Sequence, residues 1–346
     1  MENMDERSKR VLCAIVQSYI RNPEPVGSRF VTKKYSFGCS PATIRNIMAD
    51  LEELGYLSQP YTSAGRVPTD RGYRFYVNCL SEMEEFSNRD DNFREFFLRF
   101  TKRLKNIKND VNSIFLEMTN ALSSISNYIG VATPPKTEKT TLNKIDFIRY
   151  KENKAVAILL TEEGVIKNKV IDVDTTLSQE DLSRLADFLN SEYSGHTIDE
   201  IKNMLVKKMY TEKLSWDRLI DRAIRLYEQA LSFKEEEIFM SGIFDMMNLP
   251  DFSDISRIRE IAKTIKDKHL ILKLLDQISN SEGVQVLIGN ENPIEQMRSL
   301  SVVASTYKEK NKNMGVIALI GPRRMDYPKA IYMVDTLAKY LSRTFE

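Results

Sequence analysis

The segment from Ser40 to Gly55, Ser-Pro-Ala-Thr-Ile-Arg-Asn-Ile-Met-Ala-Asp-Leu-Glu-Glu-Leu-Gly, leaves little freedom in how it folds. Ser40 is a strong N-cap, because its hydroxyl can accept from the unpaired N–H groups of a first helical turn. Pro41 suits the first helical position, where no N–H is needed, and Gly55 suits the stop beyond the last turn. Ile44, Ile47, Met48, Leu51 and Leu54 share one helical face, so this side is buried. Ala42, Thr43, Arg45 and Asn46 lie off that face, near the N-terminal end.

What precedes this helix fixes its context. Asp5–Ile20 carries Val11, Leu12, Ile15, Val16 and Tyr19 at helical spacing, and Asn22-Pro23-Glu24-Pro25 ends it, since the residue before a proline avoids the helical region. Val26–Tyr35 reads as a second short helix, followed by a turn at Ser36–Cys39. Three helices with a short turn before the third form a helix-turn-helix pattern, in which the start of the third helix reaches base edges in the major groove. Tyr56–Pro60 and Arg66–Pro68 read as short extended pieces around the small-residue turn Tyr61–Gly65. A fourth helix runs from Arg71 to Leu80, capped by Thr69 or Asp70. A hairpin directly after a recognition helix is the winged-helix order. The same pattern also serves as a protein-interaction module.

Charge favours nucleic acid only locally. The whole chain of 346 residues holds 50 Lys and Arg against 49 Asp and Glu. Between Val26 and Phe75, however, seven bases (Arg29, Lys33, Lys34, Arg45, Arg66, Arg71, Arg74) face four acids (Asp50, Glu52, Glu53, Asp70), a net of +3. The candidate DNA-binding residues follow from position. Thr43, Arg45 and Asn46, with Ser40, would read the major groove. Ser28, Arg29, Lys33 and Lys34 lie on the second helix, where the three cations would grip phosphates. Gly65 and Arg66 would act from the wing, Arg66 reaching a phosphate or the minor groove.

Other classes fit poorly. Cys13, Cys39 and Cys79 are scattered with no C-x-x-C pair, which argues against a zinc ribbon and suits a reducing cytoplasm. Only His196 and His269 offer imidazole, and they are far apart, which weakens a triad or His-metal enzyme. No metal or cofactor is expected. No apolar run approaches the ~20 residues of a membrane span, and the charged N-terminus has no signal-peptide core.

Several segments together resemble one family. They are Ser40–Arg45; Leu51–Leu57 with Pro60; Thr62–Thr69; Gly72-Tyr73-Arg74; Asn248–Phe252; Val284–Asn292 followed by Ser301-Val302-Val303; and Gly321–Tyr327. In this order they resemble the heat-inducible transcription repressors of the HrcA family. Asp251 and Arg323 depart from that family's usual Glu and Thr. The resemblance implies a repressor of chaperone operons, binding an inverted-repeat operator (the CIRCE element) as a homodimer and depending on the chaperonin GroEL. It implies an α+β multidomain chain: an N-terminal winged helix-turn-helix at 1–81, a linker at 82–103, a GAF-like α+β domain at 104–142 plus 233–346, and an inserted dimerising α+β domain at 143–232. A ligand-sensing regulator and an enzyme with a DNA-binding appendage remain alternative readings.

The pattern of the remaining chain fits this division. Leu104 through Ile125 repeats apolar residues at alternating three and four, predicting one long amphipathic helix that serves as a core face or a dimer contact. Ile145–Arg149, Ala155–Leu160 and Val165–Val173 predict a three-stranded meander, followed by helical patterns at Leu182–Leu189, Ile198–Leu205 and Trp216–Tyr227. Helices are expected at Lys234–Met247, Ile255–Lys266, Leu270–Ile278 and Pro328–Arg343, and strands at Val284–Ile288, Ser301–Tyr307 and Val316–Ile320. Gly321–Tyr327, with Arg323 and Arg324, reads as a structural turn or a contact between domains or subunits, since it lacks any phosphate-loop pattern.

Overall fold

A computed structural model describes residues 4–82, 97–98, 100–101, 111–135, 140–201, 203–204, 238–252, 254–279, 281–309 and 312–345. The N-terminal unit has the order its sequence predicts: α1 (Glu6–Arg21), α2 (Ser28–Lys34), α3 (Pro41–Glu53), β1 (Leu57–Ser58), β2 (Val67–Pro68) and α4 (Asp70–Glu82). β1 and β2 pair antiparallel, Leu57 opposite Pro68 and Ser58 opposite Val67. Val11, Leu12, Ile15 and Val16 of α1 meet Val31, Ile44, Met48 and Leu51 in one core. Thr69 rather than Asp70 receives the first turn of α4, its hydroxyl accepting from Gly72 N–H at 3.2 Å.

A five-stranded, wholly antiparallel sheet forms the C-terminal centre. Its strands are β3 (Ile129–Ala132), β7 (Phe239–Ser241), β8 (Val284–Ile288), β9 (Leu300–Glu309) and β10 (Lys312–Pro322), in the order β7-β3-β10-β9-β8. Alternate residues feed opposite cores, as the pleat demands. Val303, Ile317 and Leu319 join one core with α5 (Val111–Ser126) and α10 (Tyr327–Phe345). Val302, Val316 and Ala318 join another with α8 (Ile255–Lys266) and α9 (Lys268–Ile278). The first of these is continuous with the core of the N-terminal unit.

A third core stands apart. β4 (Leu142–Lys151), β5 (Lys154–Thr161) and β6 (Ile166–Asp172) make the predicted meander, and α6 (Gln179–Tyr193) covers one face. Ser178 and Asp181 close a reciprocal capping box at the start of α6.

One expectation needs correction. The helix predicted at Lys234–Met247 is instead strand β7, paired with β3, and a short helix α7 (Ile243–Met247); residues 234–237 lie outside the described residues. A short apolar run such as Ile238–Met240 suits strand or helix equally by periodicity, and pairing at the sheet edge decides it. β3 itself goes unpredicted: Ile-Gly-Val-Ala is buried at all four positions, so no alternation marks it. The long amphipathic helix is described from Val111. Phe115, Met118 and Leu122 face the sheet core, while 102–110 lie outside the described residues, as does the helical pattern at Trp216–Tyr227.

Candidate nucleic-acid interface

The α2–α3 corner is built from its caps outward. Ser40 Oγ accepts from Thr43 N–H at 3.1 Å and lies 3.0 Å from Thr43 Oγ1, so the two hydroxyls lock each other at the start of α3. Burial of Ile44, Ile47, Met48 and Leu51 turns Ala42, Arg45 and Asn46 to solvent. Arg29, Lys33 and Lys34 are exposed on neighbouring α2. Lys34 Nζ sits 5.1 Å from the ring centre of Phe30, which is itself 48% exposed.

The other predicted residues have internal partners. Ser28 is buried at the start of α2, and its carbonyl accepts from Thr32 Oγ1 at 2.8 Å. Arg66 Nε lies 2.7 Å from Glu52 Oε2, joining the base of the ribbon to the end of α3. Val26 and Arg66 exchange both backbone hydrogen bonds at 2.9 Å. A Cβ on neighbouring Gly65 would come within 2.5 Å of the Val26 carbonyl, so only glycine fits. Two further bases of the charge count are engaged. Arg71 donates to the Leu54 carbonyl at 2.8 Å and stacks over Tyr56, and Arg74 pairs with Glu291. Arg29, Lys33, Lys34 and Arg45 therefore remain for an outside ligand, all at the α2–α3 corner.

The ribbon tip supplies residues that the sequence reading passed over. Tyr61 is 62% exposed, and Thr62 and Ser63 are exposed beside it. Gln59 Nε2 donates to the carbonyls of Thr62 at 2.8 Å and Ala64 at 3.0 Å, holding the turn in shape. The small-residue turn was the available signal for this tip.

The titratable groups packed between α1 and α4 are shielded. Burial, with Cys79 beside it, pushes the Cys13 thiol up to about 12, so it stays protonated. Burial likewise raises Tyr73 and Tyr76 well above the usual phenol range. Among the described residues, no three His, Cys, Asp or Glu side chains gather to hold a metal ion, and no helix is long and apolar enough to cross a membrane.

The three cores and separate sheets define a multidomain α+β protein with a basic, solvent-facing helix corner at its N-terminus. Residues 112–331 match the family model described as the HrcA protein C terminal domain. The heat-inducible transcription repressor HrcA of Thermodesulfovibrio yellowstonii is 50% identical over 341 residues, covering 99% of this chain and 98% of the relative. That of Geobacter sulfurreducens is 38% identical over 346 residues, covering 100% and 99%. A crystal structure described only as a hypothetical protein matches with a TM-score of 0.67 at 25% identity, covering 99% of both chains. The chain belongs to the HrcA family of heat-inducible transcription repressors.

Proposed function

We propose that this chain represses heat-shock operons by binding an inverted-repeat DNA operator as a homodimer, and that it is not an enzyme. The observation that carries this is the α2–α3 corner, where Arg45 and Asn46 project from the well-capped α3 beside three exposed cations of α2. In this reading the N-terminal unit is a winged helix. Arg45 pairs with a guanine and Asn46 with an adenine, each worth ~1–3 kcal/mol of discrimination. Arg29, Lys33 and Lys34 hold phosphates. The wing acts through Tyr61, Thr62 and Ser63, because Arg66 is held by Glu52.

Two heads must be joined, and the β4–β5–β6 sheet offers the surface. Its face away from α6 carries aligned rows, Ile148-Val156-Val170 and Lys144-Leu160-Ile166. Ile148, Ile166 and Val170 are each about half exposed, at 51, 55 and 50%. The row between them, Asp146-Ile158-Asn168, is polar at both ends, so the apolar surface runs along β5 and reaches Ile148, Ile166 and Val170. Exposed aliphatics grouped in this way mark an interaction site, and a two-fold operator calls for a second copy there. The five-stranded sheet is the GAF-like domain in this reading. Its interior is filled by Tyr307, Tyr327 and aliphatic side chains, which favours a structural over a ligand-sensing role. The chaperonin partner and the cytoplasmic setting rest on the family.

Fluorescence anisotropy on the inverted repeat tests the reading. The parent chain should bind specifically, with log affinity falling against log salt at a slope of about −5 for three phosphate-gripping cations on each of two copies. Arg45→Ala should lose sequence preference and keep weak, salt-sensitive binding. Equal preference in parent and variant would refute the role given to Arg45.

A further inference from the structure

Segments distant in sequence meet where α4 rests on the five-stranded sheet. α4 presents Asp70 and Arg74 on one face, four residues apart. Asp70 Oδ2 accepts from the Asn290 N–H at 3.0 Å, and Oδ1 accepts from Arg323 Nη1 at 3.2 Å. Arg74 donates through Nε to Glu291 Oε1 at 2.7 Å, and through Nη2 to Glu291 Oε2 and the Val286 carbonyl. Glu291 also accepts from Ile288 N–H at 2.9 Å, which fixes the carboxylate that Arg74 grips. Gly289 lies between these contacts with φ +51°, and a Cβ there would overlap the Asp70 carboxylate. On the other side Arg324 donates through Nη1 to the Ile20 carbonyl at the end of α1, at 3.0 Å, and through Nε to Asp251 at 2.6 Å. The Tyr73 and Tyr327 rings pack 6.0 Å apart between the two sets.

These contacts do not resemble casual surface pairs. Asp70 is 16% and Arg324 13% exposed, and Arg74 engages Glu291 with a two-toothed fork. They attach the N-terminal unit at several points, through both α1 and α4.

We propose that this clasp fixes the angle of the N-terminal unit on the C-terminal sheet. Asp70, Arg74 and Arg323 are then positioning residues for operator recognition. They set the separation of the two reading heads without touching DNA. This rests on the dimeric operator reading given above. An inverted repeat presents its half-sites at one distance and one helical phase. Heads on slack tethers reach many spacings, each at a reduced effective concentration, whereas clasped heads match only one.

The experiment uses the full chain, the double variant Asp70→Asn with Arg74→Gln, and the milder Arg323→Gln, whose side chain is half exposed. Amide hydrogen exchange at Asn290 reports the clasp without DNA. Anisotropy is then measured on the native palindrome, on one with about five extra base pairs, half a helical turn, and on a single half-site. Both variants should show faster exchange at Asn290 and unchanged half-site affinity. The parent should lose about tenfold or more on the lengthened palindrome. The double variant should bind the native palindrome about tenfold more weakly than the parent and lose little more on lengthening. Arg323→Gln should fall between them. An Asn290 amide as protected in the double variant as in the parent overturns the clasp. A double variant that discriminates spacing as sharply as the parent overturns the positioning role, as does one that binds the native palindrome more tightly. A parent chain that binds neither palindrome nor half-site would instead defeat the operator reading, and the exchange data would still judge the clasp.

Discussion

Replacing Gly65 by alanine would set a methyl group about 2.5 Å from the Val26 carbonyl, where Val26 and Arg66 exchange their backbone bonds. Relief requires parting the ribbon from the start of α2, at a cost of about 1–3 kcal/mol. Thermal unfolding should show the loss, and DNA affinity should fall with it. A stable Gly65→Ala variant that lost affinity alone would return Gly65 to a direct DNA contact. The contrast with Arg45 is instructive. Both residues stand in plausible DNA-binding positions in the sequence, yet one is walled in by backbone and the other is free. Ser40 lies between these cases, with its side chain turned inward to cap α3 at the edge of the proposed interface.

Among the elements, the β4–β5–β6 sheet shows how much a pattern can say. β5 alternates buried and half-buried residues along its whole length, which reads correctly as a strand with one core face. Its outer residues are nevertheless Val156, Ile158 and Leu160, and those beside them on β4 and β6 include Ile148, Ile166 and Val170. Lys144, Asp146 and Asn168 share that face, yet a sheet that faced only water would not leave three aliphatics half exposed among them. Changing Ile166 and Val170 together to lysine should leave circular dichroism intact and convert the chain to monomers in sedimentation equilibrium. Burying each such aliphatic is worth about 1.5–3 kcal/mol, so two charges in their place are decisive. A dimer of unchanged affinity would move the interface elsewhere. β3 and β7 illustrate the opposite case. Both are short, and neither carries an alternating pattern, so only their pairing to one another and to β10 identifies them.

At the scale of the whole molecule, the near balance of 50 bases and 49 acids conceals an uneven distribution of work. Arg66, Arg71, Arg74, Arg323 and Arg324 serve internal contacts, while Arg29, Lys33, Lys34 and Arg45 stand exposed at one corner. The N-terminal unit and one face of the five-stranded sheet share a continuous core, so head and body are mechanically joined. Folding such an assembly exposes apolar surface until the last part docks, which is the state a chaperonin binds. Chaperonin should therefore raise the fraction of refolded chain that binds operator after mild heating, and excess unfolded competitor protein should abolish that gain. Operator binding indifferent to chaperonin both before and after heating would argue for a thermal switch within the chain itself.

The N-terminal unit was legible in the sequence because its signals are local: a cap, a proline, a stop and a single apolar stripe act within a few residues of one another. The meander was legible for the same reason, through alternation and short polar turns. The turn from Gly321 to Tyr327 could be read as a structural turn or a contact, and not as a phosphate loop, but its partners could not be named. Asp70 and Arg323 are 253 residues apart, and Arg74 and Glu291 are 217 apart. Nothing local pairs such residues. Only packing α4 against the sheet brings them together and withdraws Arg74 from any role in gripping DNA, as contacts inside the N-terminal unit withdraw Arg66 and Arg71.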